Sequence, residues 1–277
     1  MKISDHRLVG DDGAPFSFVP SPNVGGLFGA GDLESVIVHY TAGRDAASSV
    51  RALCDEGRKA SAHLVVGRDG SVTQLVSFDT IAWHAGKSAY GDRVGLNRYS
   101  IGIEIDNAGL LERNGDDYTS WFRRSYPASE VFEGIHRNET SPTFWHRYTE
   151  DQIALVEEIC EVLVDAYGIT QILGHEEISP RRKVDPGPAF PLDKMRENIF
   201  RGDRHEDLAE EETDQPGAGV VTANRLNIRS APSKHGAVSE NPLPKGTVVH
   251  IKGETGDWYD VVVETRGWVS KNFIKTV

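Results

Sequence analysis

Apolar side chains recur along this chain in three rhythms. Val36-Ile37-Val38 runs on into His39-Tyr40-Thr41 without a charged break, so residues 35–41 read as a buried strand. Residues 100–106 alternate instead, Ile101, Ile103 and Ile105 against Gly102, Glu104 and Asp106. A half-buried strand does this, and it turns Glu104 away from the isoleucines. Two short apolar runs, 62–66 and 71–76, flank Arg68-Asp69-Gly70, where Asp-Gly predicts a hairpin turn. The helical period appears twice. Residues 45–58 gather Val50, Leu53 and Cys54 on one face. Residues 149–167 gather Ile153, Val156, Ile159 and Leu163, open with Thr149 and Gln152 at capping-box spacing, and stop at Gly168. Residues 169–173 then form a short strand that delivers His175. Residues 107–147 carry Trp121, Tyr126, Phe132, Phe144 and Trp145 without a clear period. They are read as a long insertion packed on the body, in preference to a wall of a cleft.

After residue 202 the pattern changes. Residues 203–219 are strongly acidic, lack large apolar side chains after Leu208 and end in Pro216-Gly217-Ala218-Gly219, as a linker does. From residue 220 onward only short runs remain (226–229, 247–251, 258–263, 267–269), separated by Pro and Gly. That spacing predicts a small barrel. The expected organisation is an α/β domain over 1–202 with a mixed central sheet flanked by helices, a linker over 203–219, and a small all-β domain over 220–277.

Charge narrows the function classes. The formal net charge of −12 works against binding nucleic acid phosphates or anionic lipid surfaces. No apolar stretch reaches membrane-spanning length, and Met1 to Arg7 has no signal core. The expectation is a chain made and folded in the cytoplasm, reaching a cell wall only through non-classical export or lysis. Cys54 and Cys160 sit at apolar positions of the helical runs and read as buried free thiols.

The candidate chemistry lies in the segment from Gly174 to Pro188, which holds His175, Lys183 and Asp185 in one loop stiffened by Pro and Gly. With His39 it supplies two imidazoles and a carboxylate, the three protein ligands a hydrolytic zinc site uses. Asp185 precedes Pro186, which restricts its backbone to extended forms. Glu104 is placed to take a proton from water, and Lys183 to steady a developing oxyanion. Taken alone, these residues leave plainer readings open. The histidines can be satisfied structural residues, Glu104 a solvent-facing strand residue, and Lys183 a solvated charge beside Arg181 and Arg182.

Five motifs in order change that balance: Val38-His39-Tyr40-Thr41-Ala42, Ser61-Ala62-His63 through Gly70, Ala82-Trp83-His84-Ala85-Gly86, Tyr99-Ser100-Ile101-Gly102-Ile103-Glu104, and Gly174-His175 through Pro188. Over about residues 30 to 200 the chain resembles the type-2 N-acetylmuramoyl-L-alanine amidases, a zinc family that includes peptidoglycan recognition proteins. The resemblance implies their fold and their reaction, cleavage of the amide between N-acetylmuramic acid and L-alanine of the stem peptide. It implies His39, His175 and Asp185 as zinc ligands, Glu104 as the catalytic acid/base and Lys183 as the oxyanion partner. It also implies Trp83 stacking on a sugar or peptide face, with His84 donating to the substrate. Phage and animal members carry a catalytic tyrosine where this chain has Ala62, so that role falls to Glu104. A second reading is a peptidoglycan-binding receptor that does not cleave. Such members often lose a zinc ligand, and this chain keeps all three. The C-terminal domain resembles bacterial SH3-like modules through Leu226 to Pro232, Gly256-Asp257-Trp258-Tyr259 and Gly267-Trp268-Val269. That resemblance implies a module holding cell-wall peptide, with Trp258 and Tyr259 as its surface.

Overall fold

The computed structural model describes residues 1–115, 117–201, 218–222, 225–232, 238, 242–255 and 258–263. The chain divides into two compact units, Met1–Asp207 and Leu208–Val277. The acidic stretch expected as a linker lies outside the described residues up to 217, as does the strand expected at 267–269.

In the first unit a six-stranded sheet runs in the order Gln171–Gly174, Ser35–Tyr40, Ser100–Ile105, Leu64–Val66, Val72–Gln74, Ser17–Phe18. The first four strands are parallel, and Leu64–Val66 turns back antiparallel into Val72–Gln74. The Asp-Gly turn between these two has Gly70 at φ 79°, a conformation that favours glycine. This is the mixed sheet that the apolar rhythms predicted.

Side-chain alternation divides the sheet into two faces. Val36, Val38, Ile101, Ile103 and Ile105 pack into one core with Val156, Ile159, Cys160 and Leu163 of helix α2, Glu150–Tyr167. Ile37 packs on the opposite face with Leu173, Ala85, Leu96 and Ile178. His39 and Glu104 fall on that second face by the period of two. The capping box of α2 forms as read: Thr149 accepts from the Gln152 N–H, and Gly168 ends the helix at φ 64°. Gln152 also donates its side-chain amide to the Asp106 carbonyl at 2.9 Å, which ties the helix start to the end of the Glu104 strand.

Three expectations change. The helix read over 45–58 is shorter: α1, Ala46–Leu53, stops at Cys54, and Asp55 caps a separate 3-10 turn, Glu56–Arg58. Cys54 is therefore half-buried rather than buried, while Cys160 is buried as read. The stretch 107–147 is a five-stranded antiparallel sheet ordered Ser125–Tyr126, Asp117–Thr119, Leu110–Asn114, Pro142–His146, Val131–Ile135. It has its own small core of Ala108, Leu111, Tyr126 and Val131.

In the second unit, Ala218–Val220, Val248–Thr255 and Trp258–Val262 form an antiparallel sheet, and Arg225–Leu226 pairs with Leu243–Pro244. Val221, Leu243 and Val249 make its core. Among the described residues, no helix is long and apolar enough to cross a membrane.

Candidate metal centre and active-site groove

Strand register brings the distant candidates together. His39 and Glu104 are paired positions on neighbouring parallel strands. On the other side, Val38 pairs with Gly174, the last residue of its strand. The next residue, His175, opens the short helix α3, His175–Ile178, level with His39. Asp185 returns beside it because its carbonyl accepts the Glu176 N–H at 2.8 Å. The Glu176 carboxylate extends this clamp, accepting from the Gly187 N–H at 3.0 Å and from Arg137 Nε at 2.8 Å, with His136 Nε2 at 2.7 Å.

The result is a buried triangle. His39 Nδ1 lies 2.8 Å from His175 Nδ1, and each lies 3.0 Å from Asp185 Oδ2. His175 Nε2 stands 3.1 Å from the Ala85 carbonyl. Arg182 Nη2 lies 3.3 Å from the same nitrogen, but its two hydrogens have nearer acceptors in Ser179 Oγ at 2.7 Å and the Lys87 carbonyl at 2.8 Å. The Ala85 carbonyl only accepts, so in a neutral ring Nε2 carries the proton and Nδ1 presents a lone pair. Burial, and then the neighbouring His175, push the His39 pKa down to about 4, so its ring is neutral at neutral pH. Two imidazole lone pairs and one carboxylate converging on one point repel one another unless a cation lies among them. The donor set fits a metal ion: three ligand atoms within 4.8 Å of one another, from three buried side chains.

Glu104 lies beside this triangle and also lines a groove of about 590 Å³. Its Oε2 is shielded from solvent and has no hydrogen-bond partner among the described residues. Burial, then the charge of Asp185, raise its pKa to about 8, with Lys183 opposing. The Lys183 charge also acts on His39. Lys183 itself makes no ion pair among the described residues.

The rest of the groove falls on the less favoured reading of 107–147, a cleft wall. Thr41, Ala42 and Arg44 line one part, and Trp121, Phe122 and Arg123 come from a turn of the outer sheet. The reading of 107–147 as packing alone therefore needs correction: its core packs on itself, and one of its turns walls the groove. Trp121 is 72% exposed. It is held in place by donating Nε1 to the Ala42 carbonyl at 2.8 Å. Ala42 at φ 48° and Arg123 at φ 66° are both in the left-handed region, a strained conformation for side-chain-bearing residues that concentrates at functional sites. Neither Arg44 nor Arg123 forms an ion pair among the described residues.

Trp83 and His84, expected to meet the substrate, lie outside the lining of this groove. The Trp83 indole packs over Gly25. His84 turns both ring nitrogens inward, Nδ1 at 3.0 Å from His39 Nε2 and Nε2 at 3.2 Å from the Ser100 carbonyl. No nitrogen is left to donate to a substrate. His63, next to Ala62, is also internal: it accepts from the Gly102 N–H at 2.9 Å, and its Nε2 lies 2.9 Å from the Thr80 carbonyl.

The chain has relatives among known proteins. Across 140 residues, half of this chain and 57% of the relative, it is 31% identical to the 1,6-anhydro-N-acetylmuramyl-L-alanine amidase AmpD of Escherichia coli strain K12. Across 172 residues, 59% of this chain and 52% of the relative, it is 30% identical to the N-acetylmuramoyl-L-alanine amidase AmiD of the same strain. The chain thus spans a little over half the length of each. A solved complex of E. coli AmiD with the substrate anhydro-N-acetylmuramic acid-L-Ala-D-gamma-Glu-L-Lys aligns over 67% of this chain and 66% of that one, at 26% identity and a TM-score of 0.46. Residues 224–275 match the bacterial SH3 domain. With residues 29–188, more than half its length, matching in order and carrying the triangle and Glu104, the chain belongs to the N-acetylmuramoyl-L-alanine amidase family.

Proposed function

We propose that this protein is a zinc-dependent N-acetylmuramoyl-L-alanine amidase. It hydrolyses the amide between N-acetylmuramic acid and L-alanine in peptidoglycan or its muropeptide fragments. The observation that carries this reading is the meeting of His39 Nδ1, His175 Nδ1 and Asp185 Oδ2 at one buried point next to Glu104. Those three atoms would hold the ion. When bound, zinc supplies Lewis acidity, which polarises the scissile carbonyl and lets water attack at neutral pH.

The remaining work belongs to the chain. Glu104 accepts the proton of the attacking water and returns it to the leaving amine. A carboxylate whose pKa is raised toward neutrality suits both tasks. Lys183 pulls the Glu104 pKa down against burial and Asp185, which keeps the carboxylate available as a base. Lys183 places positive charge where the carbonyl oxygen becomes negative. The groove takes the stem peptide, Trp121 and Phe122 giving apolar surface while Arg44 and Arg123 face its carboxylates. In the second unit Tyr259, 57% exposed beside Trp258, supports a role in holding cell-wall peptide.

Mass spectrometry of muropeptides incubated with the zinc-loaded protein tests the reading. Free stem peptide beginning at L-alanine is expected, abolished by a chelator and restored by zinc. Parallel incubations with soluble anhydro-muropeptides and with intact sacculi separate a fragment-recycling enzyme from a wall-lytic one. Binding without release from either substrate would reject the amidase in favour of a receptor.

A further inference from the structure

We infer that His84 is a positioning residue for His39, and that with Ser100 it sets which His39 nitrogen faces the metal. The inference rests on the metal-centre reading above. His84 Nε2 has two neighbours within hydrogen-bond reach, the Ser100 carbonyl at 3.2 Å and Ser100 Oγ at 3.3 Å. The Ser100 hydroxyl gives its proton to the Leu96 carbonyl at 2.6 Å, so Oγ can only accept. Both neighbours are therefore acceptors, and Nε2 carries the single proton of the neutral ring. His84 Nδ1 is then a lone pair, 3.0 Å from His39 Nε2. His39 must donate to it. That contact uses the only proton of neutral His39, and its Nδ1 meets His175 and Asp185 as a ligand lone pair. The rings of His39 and His84 stand 81° apart with centroids 5.2 Å from each other.

The surrounding sequence builds this relay. Gly102 sits on the site face of its strand, and a Cβ there would strike His84 Cγ. Asn97 Oδ1 accepts from the His84 N–H at 3.1 Å and the Ala85 N–H at 2.7 Å, fixing the segment that holds both residues. That segment orients both imidazole ligands: the His84 ring acts on His39, and the Ala85 carbonyl acts on His175. Partners of this kind fix the tautomer of a metal-binding histidine and raise its basicity.

The test is zinc affinity of the full-length protein, measured by competition with a chromophoric chelator. His84→Phe keeps a ring of similar size but cannot accept from His39. It should bind zinc about 10- to 100-fold more weakly, with the melting temperature of the metal-free protein kept close to that of the parent. His84→Gln offers an amide oxygen to His39 and an amide N–H to Ser100, and should recover most of the affinity. Imidazole nitrogen NMR of the zinc-loaded parent needs no variant: the His39 proton should reside on Nε2 with Nδ1 bound. Unchanged affinity in His84→Phe, or coordination through His39 Nε2, would overturn the relay while leaving the metal centre standing. A parent protein that binds no zinc would overturn both.

Discussion

The two sides of the site stand on different kinds of scaffold. The triangle of His39, His175 and Asp185 grows from interior parallel strands and a clamped loop, and all three side chains are buried. The groove wall of Trp121, Phe122 and Arg123 comes from a turn of the outer antiparallel sheet, with Trp121 largely exposed. Positions set by sheet register cannot drift without breaking the core. A turn on an outer sheet can change sequence at little cost to stability. On the proposed function, the contrast would put bond-breaking on the rigid side and substrate preference on the variable one.

Substitutions can break this division. His175→Ala removes an interior ligand, so zinc no longer binds stoichiometrically by elemental analysis and amide hydrolysis falls to background. Glu104→Gln keeps the shape and removes the base. We expect kcat to fall by roughly 10²- to 10⁴-fold with zinc content unchanged, measured by steady-state release of stem peptide. Lys183→Met should lower kcat by about 10²- to 10³-fold, again with zinc retained. If either change acted mainly on KM, the rigid side would be binding substrate rather than transforming it.

Acid should weaken the interior. Burial lowers the pKa of His39 and His63 to about 4 and that of His146 to about 3, and holds His84 well below its usual range. Below pH 6.5 the unfolded chain takes up protons that these folded residues refuse. Stability is therefore lost as pH falls from 6.5 toward 4, by on the order of 3 kcal/mol for a fully buried histidine such as His63. Thermal melts across that range check it, and bound zinc should protect His39 within them. The smallest effect belongs to the wall. Trp121→Ala should raise KM about three- to tenfold with kcat and zinc affinity unchanged. Loss of zinc in that variant would erase the distinction between the two sides.

The sequence revealed these two sides unequally. His39 and Glu104 were legible as strand positions because unbroken or alternating apolar runs announce interior strands, whereas His175 and Asp185 were picked out by the Gly174–Pro188 loop and the family resemblance. Trp121 was not legible. Its sheet is made of short strands broken by turns at Gly109 and Gly115, both at positive φ, so no period survives along 107–147. His84 was legible as a site residue, but its direction toward His39 was not. Its partners include the Ser100 carbonyl, and a backbone atom leaves no mark in a sequence. Glu176 was overlooked in the motif that holds His175, because an acidic residue there looks like a solvated charge until its contacts with His136, Arg137 and Gly187 are seen.

X-ray absorption of the zinc-loaded protein tests the central claim most directly. A shell of nitrogen and oxygen scatterers at about 2.0–2.2 Å is predicted, four in number, with the outer-shell pattern of two imidazoles and with one zinc per chain. A sulfur scatterer near 2.3 Å, or a six-oxygen shell without imidazole, would contradict the assignment of His39, His175 and Asp185 as the ligands.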